Sequence, residues 1–210
     1  MSLYNGYFAQ GFALDPSGTE ILYFIVEDYL NDLNPNPDRP NKMWEVIRFK
    51  IRQHNGLFGM PNDLKIRAKI VKNIKDLESA ILLWAKKGDH IIVHAHDDEN
   101  LHVVFNEKEK YKRIPKKEGE GFDKVYKAMV MAEIASYTMS ICFTTNQDAY
   151  DVKQKLKKTG TQVYYTWTEH ERILGDWGVL KVDGKYIYDP SKTDKNIFPA
   201  PKENPSEKKK

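Results

Sequence analysis

The stretch HIIVHAHDDENLHVVF, residues 90–105, sets four histidines and three acids into sixteen positions. Two apolar runs flank its polar centre. One face of such a ribbon has to reach the core, and a slip of one residue reverses every side chain. Ile91, Val93 and Ala95 therefore share a face with Leu101, Val103 and Phe105. Pairing Val93 with Phe105 and Ala95 with Val103 achieves this. It leaves Asp98, Glu99 and Asn100 as the turn, with Asn100 able to take the left-handed conformation. The same register sets His96 opposite His102, with His94 on that face. The expectation is an antiparallel hairpin, either solvent-facing and polar or holding a metal through three imidazoles.

Outward from this hairpin the pattern repeats. DLKIRAKI, residues 63–70, alternates Leu64, Ile66, Ala68 and Ile70 with Lys65, Arg67 and Lys69, as a half-buried strand does. Asn73 caps a helix with face Leu77, Ala80, Ile81 and Trp84, ended by AKKG. In the second half, TMSICFTT reads as a strand, and Thr145 with Asp148 caps a helix with face Ala149, Val152 and Leu156. TQVYYTWT is a strand, and WGVLKVDGKYIYD is a hairpin with an Asp-Gly turn. The halves align without a gap at an offset of 72 residues, from Asn73 on Thr145 to Val93 on Tyr165.

N-terminal to these, the capping box Ser17–Glu20 and the stripe Ile21, Phe24, Ile25, Leu30 and Leu33 suggest a helix, broken by NPNPDRPN. Asn41 starts a second helix carrying Trp44, Ile47 and Ile51. The expected class is α+β: two tandem, duplicated βαββ modules after a helical N-terminal segment. The expected divisions are residues 1–60 for that segment and 61–120 for the first module with its charged loop. Residues 121–198 would hold a helix and the second module, and 199–210 a disordered basic tail.

The chain has 210 residues, 40% of them hydrophobic, with 12 Tyr, 9 Phe and 4 Trp, which indicates a real core. A net charge of +3 is too small to imply nucleic acid. The single cysteine, Cys142, excludes an intrachain disulfide and fits a reducing compartment. No signal peptide and no membrane-spanning run is read, so a cytoplasmic location is expected.

ICFTTNQDAYDVKQKLKKTGTQV and VDGKYIYDPS resemble a module of the vicinal-oxygen-chelate superfamily, the glyoxalase and bleomycin-resistance fold. The resemblance covers residues 138–190 well and 64–106 weakly, and tandem duplication agrees with it. It implies a ligand held in the cup of a sheet. The family's metal ligands do not carry over, because the matching strands offer Ser140, Cys142 and Tyr188. WGVLKVDGKYIYDPS also resembles the last strands of transglutaminase-like cysteine enzymes, but Gly175 stands where a histidine is needed. Cys142 is then read as a core residue.

The expected function is binding, without metal, of a small aromatic or phosphorylated ligand or a protein partner. Tyr164, Trp167, Trp177, Tyr186 and Tyr188 are the candidate contacts, no cofactor is expected, and a homodimer is a further candidate state. One alternative is a metal-dependent phosphodiesterase or nuclease. There His94, His96 and His102 would hold Zn or Mn, as in the His-hydrophobic-His strand that residues 90–105 resemble in rolling-circle nucleases. Tyr126 or Tyr137 would be its nucleophile. Another is a nucleic-acid-associated accessory protein, weakly bound through Lys65, Arg67, Lys69 and the tail.

Overall fold

The computed structural model describes residues 19–26, 42–55, 64–95, 97–98, 102–107, 110–115, 120–141, 144–166, 179–182, 185–193 and 196–208. The first strand, β1 (Glu20–Val26), reads EILYFIV and is buried throughout. It replaces the helix expected at this point. A helix would bury one stripe of the run, whereas here Ile21, Tyr23 and Ile25 enter one core and Leu22, Phe24 and Val26 the other. An unbroken run of apolar, largely β-branched and aromatic residues suits a strand covered on both faces. Glu20 is not a helix cap. Its N–H donates to Asp89 Oδ1 at 2.9 Å, and its carboxylate meets Arg67 Nη2 at 2.6 Å. Ser17 lies outside the described residues.

Helix α1 (Lys42–His54) leads to strand β2 (Lys65–Val71), helix α2 (Ile74–Trp84) and strand β3 (His90–Ala95). Asn73 caps α2 by accepting from Asp76 N at 2.8 Å, as its sequence signature indicates. A small antiparallel sheet follows, of β4 (Asp97–Asp98), β5 (His102–Glu107) and β6 (Lys110–Pro115). Then come helix α3 (Glu120–Ala132), strand β7 (Ser136–Ile141), helix α4 (Asn146–Lys155) and strand β8 (Gln162–Thr166). The expected Asp-Gly hairpin is present as β9 (Val179–Val182) and β10 (Lys185–Tyr188), with Val182 opposite Lys185. A short helix α5 (Pro190–Thr193) and strand β11 (Ile197–Pro199) complete the order.

The chain therefore mixes helices and strands in layers, as its sequence indicates, around one six-stranded sheet of order β11–β8–β7–β3–β1–β2. β1, β2, β3, β7 and β8 run parallel, and β11 is antiparallel on the edge. Helices α2, α3 and α4 pack on one face through Leu77, Ile81, Met129 and Val152. Helix α1 packs on the other through Trp44, Ile47 and Ile51. Among the described residues no helix is long and apolar enough to cross a membrane.

Three expectations are corrected. Strand β3 does not pair with residues 102–105; it lies between β1 and β7. The short β4 pairs with β5 instead, with Asp97 opposite Val103 and Asp98 opposite His102. An apolar strand buried on both faces gains more from two parallel neighbours than from a polar hairpin partner. Segments of the first three expected divisions thus share one sheet, whose parallel strands are joined through helices, rather than forming two tandem βαββ modules. The tail is also structured: Lys153 Nζ donates to Pro201 O at 3.0 Å, and residues Pro205–Lys208 form a 3-10 turn.

Asp89 fastens the amino-terminal edge of the sheet. Its carboxylate accepts from Glu20 N and, at 3.0 Å, from Lys86 N. Its carbonyl accepts from Ala135 N at 2.8 Å. Burial pushes its carboxyl above the usual range, and the two backbone donors oppose that rise. Asp89→Ala orphans both N–H groups and should cost about 2–4 kcal/mol in urea unfolding, with Asp89→Asn losing less. A loss no larger than that of a surface substitution would contradict this role.

Candidate functional site

Parallel sheets with helices on both faces place ligands outside the carboxyl ends of their strands, where the strand order reverses. Here the chain passes from β1 outward to β2 and then back to β3 on its other side. The strands end at Val26, Ala95, Ile141 and Thr166. Just inside that edge, on the α1 face, lies a buried polar cluster. His94 is 2% exposed. Its Nδ1 is 2.9 Å from Ser140 Oγ and 3.3 Å from the Tyr23 hydroxyl. The Tyr23 and His94 rings meet edge-on, with centroids 6.2 Å apart.

The sequence builds this cluster through alternation and register. Successive strand residues face opposite ways, so His90, Ile92 and His94 share one face of β3. The register sets His94 opposite Ile25 on β1 and Ser140 on β7. One step further, Ala95 lies opposite Ile141, and both fill the helix-covered core. The Ile141 carbonyl accepts from Thr144 Oγ1 at 2.8 Å and Thr166 Oγ1 at 3.0 Å, which fixes the end of β7. Thr145 then starts α4 with the expected capping box: Asp148 N donates to Thr145 Oγ1 at 3.1 Å, and Thr145 N donates to Asp148 Oδ2 at 2.9 Å. His96 and Cys142, the next residues after β3 and β7, lie outside the described residues.

The other candidate residues are dispersed. His102 stands opposite Asp98 and Pro115 on the small sheet, not opposite His96, so the register expected to converge three imidazoles is replaced. Among the described residues no group of three metal-ligating side chains is assembled. Tyr126 and Tyr137 are packed in the core of the helix-covered face, 3% and 0% exposed, whereas His94 belongs to the opposite face. Burial pushes both phenols up. The structure does not bring them to the histidines.

Lys65, Arg67 and Lys69 each have a partner within the fold. Lys65 Nζ donates to Asn55 O at 3.1 Å, and Lys69 Nζ meets Asp76 Oδ1 at 2.6 Å. Arg67 binds Glu20 and lies 4.5 Å from the centre of the Trp84 ring.

Tyr164 and Tyr188 pack edge-on to one another with centroids 6.4 Å apart. Tyr188 stacks on His90 at 4.4 Å, and its hydroxyl is 2.7 Å from Thr138 Oγ1. Tyr164 and Tyr188 thus belong to one aromatic cluster with His90. Trp167 and Trp177 lie outside the described residues, as does the side chain of Tyr186. A cleft of about 390 Å³ opens elsewhere, beside the first residue of α4, lined by Asn146, Pro201, Lys202, Glu203 and Pro205.

Ser140 and Tyr23 are the functional candidates that alternation alone does not reveal, because their meeting with His94 depends on three strands distant in sequence. Compared with known proteins, the chain matches no family model and no curated relative. Its function is read from the site itself.

Burial lowers the pKa of His90 from 6.5 to about 4. Above pH 6.5 the imidazole is neutral folded and unfolded. Between pH 6.5 and about 4 the unfolded chain takes up a proton that the folded chain refuses, so stability falls with pH. From pH 7 to pH 5 the wild type should lose up to about 2 kcal/mol relative to His90→Gln in urea titrations. Parallel pH dependences in the two proteins would contradict this.

Proposed function

We propose that the chain is a cysteine hydrolase with Cys142 as nucleophile and His96 as its general base. The observation that carries this reading is the parallel pairing of β3 with β7. Ala95 and Ile141 are opposite one another, and each is the last residue of its strand. His96 and Cys142 follow them directly in sequence. The strand ends that these two residues follow in sequence lie at the edge where such sheets bind ligands.

The residue types suit acyl transfer. An imidazole takes the thiol proton, the thiolate attacks the carbonyl carbon of an amide or ester, and the imidazolium returns the proton to the leaving group. Water then hydrolyses the thioester, with the imidazole again as base. Helix α4 begins four residues after Cys142 in sequence, and a helix amino end favours a thiolate brought near it.

Alkylation by iodoacetamide tests the reading. At pH 7 native Cys142 should react about tenfold faster than the same thiol in the urea-unfolded chain, as expected of a thiol that a neighbouring imidazole activates. His96→Ala should remove the advantage. Fluorogenic peptide amides that the wild type cleaves should be untouched by Cys142→Ala and turned over roughly 10²-fold more slowly by His96→Ala. A native thiol no faster than the unfolded one, or cleavage that survives Cys142→Ala, would refute the assignment.

A further inference from the structure

We infer that the cleft between the first residue of α4 and the carboxyl-terminal segment binds a small aromatic carboxylate. The site stands apart from the cysteine-hydrolase reading, since its lining residues are Asn146, Pro201, Lys202, Glu203 and Pro205. PAPKENPSE, residues 199–207, has the composition of a solvated tail, with little apolar surface to bury. It is nevertheless laid back on the fold and fixed there. Ala200 N donates to Val163 O at 2.8 Å, and Lys153 Nζ on α4 donates to Pro201 O at 3.0 Å. Ser206 N donates to Asn204 Oδ1 at 3.1 Å and closes the final turn. What the segment builds is one wall of a cleft of about 390 Å³, with Asn146 of α4 on the other side.

The lining selects by charge and by shape. The Tyr165 hydroxyl donates to Asn146 Oδ1, which commits the amide oxygen and leaves the amide nitrogen as a donor. Burial pushes the Tyr165 phenol up, so it keeps the proton for this bond. Lys202 adds a cation that is exposed and has no ion pair among the described residues. An amide N–H and an ammonium together suit an oxyanion. Glu203 follows Lys202 in the same wall, so the lining carries one charge of each sign. That disfavours a dianion such as a phosphate monoester, whereas a carboxylate brings a single charge that Lys202 balances. Pro201 and Pro205 supply apolar rings, and proline rings and aromatic rings dock well on one another. Cavities that hold small molecules run from about 300 Å³ upward, so this one suits a ligand of one or two rings.

The test is titration of the isotope-labelled full chain with naphthylacetate, followed by amide chemical shifts. Naphthylethanol, the same ring system without the charge, and phenyl phosphate, a dianion, are the comparison ligands. Naphthylacetate should saturate shifts at Asn146, Lys202 and Glu203 with a Kd of about 1 mM or tighter. Naphthylethanol should bind roughly fivefold more weakly, and Lys202→Gln should weaken naphthylacetate by a similar factor. Lys202 is exposed, so this variant keeps the fold. No saturable shift at about 10 mM, or saturation only at amides away from the cleft, overturns the site. Equal affinity for the alcohol, or unchanged affinity in Lys202→Gln, overturns the carboxylate, as does tighter binding of phenyl phosphate. None of these outcomes bears on the alkylation of Cys142, so the two readings fail separately.

Discussion

The architecture depends on the burial of one strand on both faces. β1 carries six consecutive apolar residues after Glu20, and all seven are buried. Its backbone donors and acceptors have no water to turn to, so they need a strand on each side. β2 and β3 supply them, both in parallel register. Parallel neighbours require crossover connections, and helices packed on both faces are what such crossovers produce. The same demand gives all the parallel strands one common carboxyl edge. The candidate site lies there because β1 must be surrounded.

The consequence for the site is a matter of charge and polarity near that edge. The middle of the sheet is apolar on both faces, through Phe24 and Val93 on one and Ile25 and Ile92 on the other. Polar groups enter at its two ends. At the amino end, Asp89 holds strand starts through backbone N–H groups, and His90 with Ser136 lies at 2.8 Å. At the carboxyl end, His94, Ser140 and Tyr23 do the corresponding work among side chains. The two histidines of β3 share a face but differ in surroundings. His90 is stacked under Tyr188 and belongs to stability, whereas His94 stands two residues from His96 and belongs to the edge.

Much of the local structure was legible in the sequence. Asn73 and Thr145 cap helices where their spacing to Asp76 and Asp148 indicates, because a cap is a contact between residues three apart. The Asp-Gly hairpin is equally local. β1 was misread because its six apolar residues satisfy a helical stripe and a doubly buried strand alike, and only the depth of burial separates them. The charged segment that forms β6 read as a loop, since its pairing with β5 is with residues that themselves lack clear alternation.

The site was legible as residues and illegible as an arrangement. His94 and His96 stood out, but a hairpin register drew them toward His102 and a metal. Cys142 reads as core from its apolar strand and lies outside the described residues. Only the pairing of β3 with β7, across some 46 residues from His90 to Ser136, puts the ends of those strands side by side. The most direct measurement of the central claim is disulfide formation in His96→Cys, where Cys142 supplies the second thiol. Adjacent parallel strands run about 4.8 Å apart, within the roughly 4.4–6.8 Å that a disulfide spans between Cα atoms. Mild oxidation should therefore give a monomer two mass units lighter with no free thiol. Two free thiols under those conditions, or linkage only between separate chains, would contradict the account.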